Sequence, residues 1–317
     1  MGPVATTPWS DLQYDFAHVH DVIQDSWKDN VEVPLDYDVF FLESLFTYPG
    51  MRPSFAPALY EGNQLTAFVA GFPRSLQVGS MEQPFLLMTL FTVRSGNKGR
   101  GLGSGVWAEC LRRAAAAGFA GAIHYCVTGN RSNAVTVAGA KLAGYESLPL
   151  FTVNYMMRPL RRPPTIAAAT PPSVTNFLEL AQNVEAPLRR TWTPAEVQWQ
   201  LNRPGAVAHV LEQDGHCGIL AGYTAAIADK NQTRCLFIED IFWGDLTLPG
   251  RTQLVQEFLA AAASNASIAV VPILGYADMA PFQAAQFRRS TRALNAYLTI
   301  CNGLAAPEAG AIYIDVV

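Results

Sequence analysis

Residues 94–107 read RSGNKGRGLGSGVW, five glycines set among three cationic side chains, directly behind the apolar run FLLMTLFTV (85–93). A strand that enters such a loop and leaves it as a helix exposes unpaired backbone N–H groups at the positive end of the helix dipole. Glycine lets the main chain come close to a ligand and adopt positive φ. Lys98 and Arg100 add charge without fixed geometry. The combination is an anion site, and a diphosphate is its natural ligand.

Two familiar phosphate loops fail on spacing. A Walker A loop needs a Lys-Ser/Thr pair behind its glycines, and none follows here. A dinucleotide fingerprint needs G-x-G-x-x-G, but counting from Gly99 the last position is Ser104, and from Gly101 it is Val106. The spacing [Arg/Gln]-x-x-Gly-x-[Gly/Ala] does fit, filled by Lys98-Gly-Arg-Gly101-Leu-Gly103. Farther on, Asn133 stands eleven positions before the pair Gly144-Tyr145, behind the strand-like run AGAIHYCVT (120–128). Loop, strand, Asn and Gly-aromatic pair together resemble the GNAT superfamily of acyl-CoA-dependent N-acyltransferases over about 75 residues.

The resemblance implies an acyl-CoA donor, acetyl-CoA or another, and an amine acceptor, here expected to be a small molecule. It implies that the backbone of Lys98, Gly99, Arg100, Gly101, Leu102, Gly103 and Ser104 holds the coenzyme diphosphate. Phe91, Thr92 and Val93 would pair with the pantetheine arm, and Asn133 would touch that arm from the opposite wall. Pantetheine has two amides and can extend a sheet edge as a peptide does. Two departures stand out. Lys98 replaces the usual Arg or Gln, and the tyrosine acid that the family carries seven places after the Asn is Ala140.

The chain has 317 residues, long enough for two domains. RRPPTIAAATPPSVT (161–175) carries four prolines and reads as an extended connector. On either side a repeat emerges at an offset of 151 residues: YEGNQLTAFVAGF (60–72) over LEQDGHCGILAGY (211–223), FLLMTLF over LFIEDIF (236–242), and KGRGLG (98–103) over PGRTQL (249–254). The expected architecture is mixed α/β (α+β), two tandem GNAT-like domains, each with a mostly antiparallel, splayed sheet flanked by helices. Residues 1–160 form the acyl-CoA-binding domain and 176–317 a degenerate copy that completes the acceptor pocket. PGRTQL has too few glycines to approach a diphosphate. MAPFQAAQFRRSTRAL (279–294) reads as a helix and AIYIDVV (311–317) as a closing strand.

Composition narrows the function classes. A net charge of −4 offers no footprint for nucleic acid. No apolar run approaches the roughly 20 residues a membrane span needs, and the start MGPVAT is only a weak acylation motif. Five cysteines without a C-x-x-C pair argue against a disulfide framework or zinc site and for a reducing, cytoplasmic setting. His18 and His20 in AHVHD read as a solvated helix end rather than a metal site.

Amide formation needs a base, a polarised thioester and a proton donor. His124 is a candidate base on its reference pKa, and Glu82 could act through water. Glu239, beside Asp240, aligns with Met88-Thr89 of the first half, where no acid stands. As successive strand residues, Glu239 and Asp240 should face opposite ways. Trp192, Trp199 and Trp243 are core candidates that could also line an acceptor pocket. A binder of acyl-CoA without chemistry is the alternative, as is a transferase using a longer acyl chain or an acyl-carrier protein.

Overall fold

The computed structural model describes residues 9–28, 35–161, 169–227, 233–307 and 310–316. The acylation-like start and residues 162–168 of the proline-rich connector lie outside them. The first half runs β1 (Ser10–Asp11), α1 (Phe16–Trp27), β2 (Leu35–Asp36), α2 (Val39–Phe46), β3 (Pro57–Glu61), β4 (Gln64–Val78), β5 (Met81–Val93), α3 (Leu102–Ala116), β6 (Gly121–Val127), α4 (Ser132–Leu142) and β7 (Ser147–Pro159). The second half runs α5 (Val174–Gln182), β8 (Leu188–Thr191), α6 (Pro194–Asn202), β9 (Ala206–Gln213), β10 (His216–Ile227), β11 (Arg234–Phe242), α7 (Leu248–Ala262), β12 (Ile268–Ile273), α8 (Ala280–Ala284), β13 (Arg288–Ile300) and β14 (Ile312–Tyr313).

Among the described residues these strands form one mixed sheet. Its main path is β1-β3-β4-β5-β6-β13-β7-β12-β11-β10-β2, with β9 beside β10 and β8 joining β4 to β14. The centre of that order is an exchange. β7, from the first half, pairs antiparallel with β12 of the second, while β13, from the second half, pairs antiparallel with β6 of the first. β7 and β13 then pair with each other, which makes the sheet continuous.

The exchange corrects one sequence expectation. The segment read as a helix over 279–294 is helical only at Ala280–Ala284; Gln286 turns through a φ of 66° and the chain departs as β13. Ala, Gln and Arg favour a helix, but intrinsic preference is weak against tertiary pairing. Here β6 on one side and β7 on the other leave a strand-shaped gap. The alternating run RALNAYLTI carries Ala296 and Leu298 into the core.

The repeat holds in the strands and fails in the loop. Gly71 faces Met88 across β4–β5, whereas Gly222 faces Ile238 across β10–β11, so the second strands correspond at 150 residues rather than 151. The two helices begin at Gly101 and Thr247, 146 residues apart. The Gly-Arg match between the two loops is therefore a coincidence of the ungapped alignment.

Helices cover both faces. α1 buries Val19, Val22, Ile23 and Ser26 at helical spacing, and its first turn is capped by Asp15 accepting from the His18 N–H. The largest apolar cluster lies on the α1–α2 face and draws on both halves: Leu42, Phe68, Phe85, Ile123, Val153, Tyr223 and Leu298 all belong to it. A second cluster packs α3 and Trp107 on the opposite face of the first half. No helix among the described residues is long and apolar enough to cross a membrane.

Candidate active site

β5 and β6 run parallel and are paired only from Phe85↔Gly121 to Met88↔His124. Beyond that point the two strands part. The cause is local: the β4–β5 register shifts between Phe68 and Ala70, and Leu90 adopts a φ of 54°, so β5 bends away after Met88. β5 keeps its bonds to β4, with Thr92 opposite Phe68 and Val93 opposite Ala67, and its other edge is left without a strand partner. The Phe91 carbonyl points to that open edge, where it accepts a 3.4 Å bond from the Trp27 indole N–H. In an extended strand a residue's N–H lies on the same side as its C=O, so the Phe91 N–H also faces the opening.

The glycine loop closes the far end of this cleft. Gly99 and Gly101 take φ of 83° and 77°, and a Cβ at either would meet no heavy atom within 4 Å, so the surface there is open. Gly101 is the N-cap of α3 and provides no side chain to it. The N–H groups of residues 99–104 find no acceptor among the described residues, and the first to do so is Gly105, bonded to the Gly101 carbonyl. The Ser104 hydroxyl rests on the Gly101 carbonyl at 3.1 Å. Lys98 donates to the Ser26 carbonyl at 2.7 Å and Arg100 pairs with Glu61 at 3.0 Å, so both cations are tied at the rim of the loop. Gly103 has a different reason to be glycine: a Cβ there would lie 2.9 Å from Phe91 and from Val135. The residues thus fit a diphosphate with an extended arm: uncapped donors at a helix start, an open cradle, and a free strand edge leading away.

The remaining expected residues are distributed unevenly around this cleft. Asn133 lies at its wall, but its amide donates to the Val127 and Asn130 carbonyls, both at 2.8 Å, and its oxygen accepts from Tyr297 at 3.1 Å. It ties β6, α4 and β13 together. His124 is 1% exposed, stacked 5.0 Å from Tyr297 and edge-on 4.6 Å from Trp107. The Thr136 hydroxyl donates to the Asn133 carbonyl, so it accepts from His124 Nε2–H at 3.1 Å. Burial drives the imidazole pKa down to about 3, which keeps the ring neutral. Glu82 lies nine residues before Phe91 on the same strand, about 30 Å away at a strand's rise. It accepts from Ser75 and Thr191. Ala140 is fully buried against the α3 cluster, where it fills the place of the family's acid.

Glu239 behaves differently from its expectation. The β10–β11 register shifts between Ala221 and Gly222, which leaves Glu239 without a cross-strand partner. This bulge cancels the strand alternation. Glu239 and Asp240 both turn to Gln200, whose Nε2 donates to Glu239 Oε2 at 3.1 Å and to Asp240 Oδ2 at 2.9 Å. Arg203 donates to Glu239 Oε2 at 2.6 Å, and the Tyr313 hydroxyl donates to Asp240 Oδ1 at 2.8 Å. Burial, then the neighbouring Glu239 charge, pushes the Asp240 carboxyl up to about 7; burial raises Glu239 as well. Alongside, Asp315 binds Arg74 at 3.0 Å and Arg190 at 3.1 Å, and these two arginines hold its pKa down to about 2 against the opposing effect of burial. Sequence reasoning missed Gln200, Arg203, Arg190 and Arg74, which have no local motif and meet only in the fold. Of the tryptophans, Trp243 is buried, and Trp192 lies under the Arg190 guanidinium at 3.3 Å.

His18 and His20 each sit 3.2 Å from an aspartate, Asp15 and Asp36, and no group of three possible metal ligands occurs among the described residues.

No protein-family model and no curated protein matches the sequence. Solved structures do match. The chain is similar to Saccharomyces cerevisiae N-myristoyltransferase with bound myristoyl-CoA, at TM-score 0.73 and 15% identity, covering 97% of this chain and 85% of that one. It is also similar to a GCN5-related N-acetyltransferase from Anabaena variabilis, at TM-score 0.55 and 13% identity over 93% of this chain and 73% of that one. Eis1 from Mycobacterium abscessus matches at TM-score 0.52 and 13% identity, over 93% and 74%. The fold is therefore that of the GNAT acyltransferases, in the doubled arrangement that the N-myristoyltransferase match spans almost end to end.

Proposed function

We propose that this chain is an N-acyltransferase that moves an acyl group from an acyl-CoA thioester to a primary amine by direct attack. The observation that carries the reading is the uncapped start of α3 opening onto the unpaired edge of β5, a diphosphate site joined to a strand-shaped slot. Residues 1–160 bind the donor, 161–175 connect, and 176–317 complete the acceptor side. The N–H groups of 99–104 hold the diphosphate, helped by the dipole of α3 and by Lys98 and Arg100 at the rim. The pantetheine amides pair with the edge at Phe91–Val93, where the Phe91 N–H lies within the slot to polarise the thioester carbonyl. The amine nitrogen forms the new C–N bond as the C–S bond breaks, the thiolate leaves with the electron pair, and the amine proton is given up.

None of the three acids and bases read from the sequence sits in the slot as a free base. His124 is closed between aromatic rings, Glu82 is at the other end of β5, and Glu239 is held by Arg203 and Gln200. His124 supports the slot by positioning α4 through Thr136. Acetyl-CoA is the donor read from the sequence. The fuller overlap with the myristoyl-CoA-bound structures favours a long-chain donor as the second reading, with a peptide amine as the matching acceptor.

The test is free-thiol release from acetyl-CoA and from myristoyl-CoA over a panel of primary amines, with coenzyme-dependent thermal stabilisation measured alongside. Amine-stimulated thiol release supports transfer and fixes the chain length. Stabilisation without thiol release from any pair would leave a binder and overturn the enzymatic reading.

A further inference from the structure

Beside the slot lies a buried polar chamber whose groups are only partly used. Glu239 Oε2 is bonded twice, but Glu239 Oε1 is buried without a partner. Tyr223 is wholly buried, its ring 4.1 Å from the Arg203 guanidinium that holds Glu239, and its hydroxyl has no partner. Tyr125 is the first β6 residue beyond the last β5–β6 pair, and its buried hydroxyl is also unpartnered. Tyr223 and Tyr125 both feel the Glu239 charge. A buried polar atom left unbonded costs about 1–3 kcal/mol, so three in one place point to something that bonds them.

We propose that this chamber receives the acceptor's primary ammonium, against Glu239 Oε1 and the oxygens of Tyr223 and Tyr125. The proposal rests on the N-acyltransferase reading and names the acceptor half of that site. An ammonium has three donors and no acceptor, and the chamber has three unused oxygens. Charge agrees. The buried cations are Arg74, Arg190 and Arg203, and the buried acids are Glu196, Glu239, Asp240 and Asp315. Fully ionised, they leave one negative charge over, which one ammonium neutralises. Asp240 is the group that answers to this surplus. It faces Glu239 on its own strand, Gln200 of α6, Arg190 of β8, Tyr313 of β14 and Tyr276. A bound ammonium therefore releases its proton, and amine affinity rises as pH climbs through 7.

Position agrees too. The Tyr37 ring, which also feels the Glu239 charge, lies 5.5 Å from Trp27, whose N–H reaches the Phe91 carbonyl on the slot edge. One aromatic layer separates the chamber from the edge where the thioester is expected. A neutral isostere would leave the surplus charge unpaired, so the chamber selects amines over alcohols of the same shape.

The experiment is ligand-observed NMR on the full chain, with and without coenzyme A, using n-butylamine and its neutral counterpart n-butanol. Coenzyme binding is followed separately by thermal shift. Butylamine is expected to bind and butanol not. Glu239→Gln should weaken butylamine at least tenfold, and Tyr223→Phe three- to tenfold, with coenzyme binding unchanged in both. Tyr223→Phe removes a hydroxyl that bonds to no protein group, so it should melt at or above the wild-type temperature and decides the matter even if Glu239→Gln fails to fold. Butylamine binding untouched by Tyr223→Phe, equal binding of butanol, or no amine binding at millimolar concentration with and without coenzyme overturns the proposal. Amine binding kept while coenzyme binding is absent would instead overturn the reading of α3.

Discussion

The two halves carry the same helix after the same strand, yet the helix starts are built in opposite ways. α3 begins at Gly101, with no side-chain cap and open space over the glycines. α7 begins at Thr247, whose hydroxyl accepts from the Gly250 N–H, with Pro249 in its first turn. A Cβ on Gly250 would also meet the Gln213 side chain at 2.9 Å. One helix start is left for a ligand, and the other is satisfied by protein. The strand bulges before them differ in the same sense but reversed. Apolar Leu90 marks the first and leaves an open slot, while Glu239 marks the second within a web of buried charge. A duplicated unit can thus divide donor and acceptor duties by changing a cap and a bulge residue, with the strands left alone.

The harshest way to break this contrast is to disturb the second bulge. Arg203→Ala leaves Glu239 buried without its cation and should cost about 3–5 kcal/mol in urea unfolding, whereas a side-chain change at Leu90 would uncover no charge. Next comes pH. Asp240 is raised from 3.8 to about 7 in the folded chain. Between those values the folded state holds a proton that the unfolded chain has released, so stability should fall as pH rises across the window. The slope has an upper limit of about 1.4 kcal/mol per unit. Asp240→Asn should remove most of that slope, leaving the part due to Glu239.

Gly101→Val places a branched residue at positive φ over the cradle. Coenzyme affinity should fall at least about 100-fold, roughly 2.7 kcal/mol by calorimetry. The reciprocal change, Thr247→Ala, should cost about 1 kcal/mol of stability by loss of a cap and leave coenzyme affinity as it was. An equal loss of coenzyme affinity in both variants would erase the distinction between the halves. Smallest is Trp27→Phe, which removes the 3.4 Å bond to the Phe91 carbonyl. It should leave the melting temperature within about 0.5 kcal/mol of wild type and abolish most of the coenzyme-induced change in tryptophan fluorescence.

What could be read in the sequence followed from local constraint. Gly99 and Gly101 are needed where φ is positive, and the strand, loop and helix around them are contiguous, so donor loop and fold type were legible together. β13 was not, because its partners are β6 and β7, more than a hundred residues earlier, and its own composition favours a helix. The Glu239 cluster was half legible. The acids stood out in an apolar strand, but one residue of bulge turned both to the same side, and Arg203 and Gln200 carry no motif that announces them.

The traded strands have a consequence for how the molecule is made. The edge of β6 is finished by residues that follow it by some 170 positions, and β12 waits on a strand synthesised long before it. Emerging from a ribosome, the front portion carries an unzipped seam until almost the whole polypeptide is out. Such distant pairing slows folding and exposes sticky edges meanwhile. Severing the chain at its proline-rich middle will yield two pieces that regain structure only when mixed.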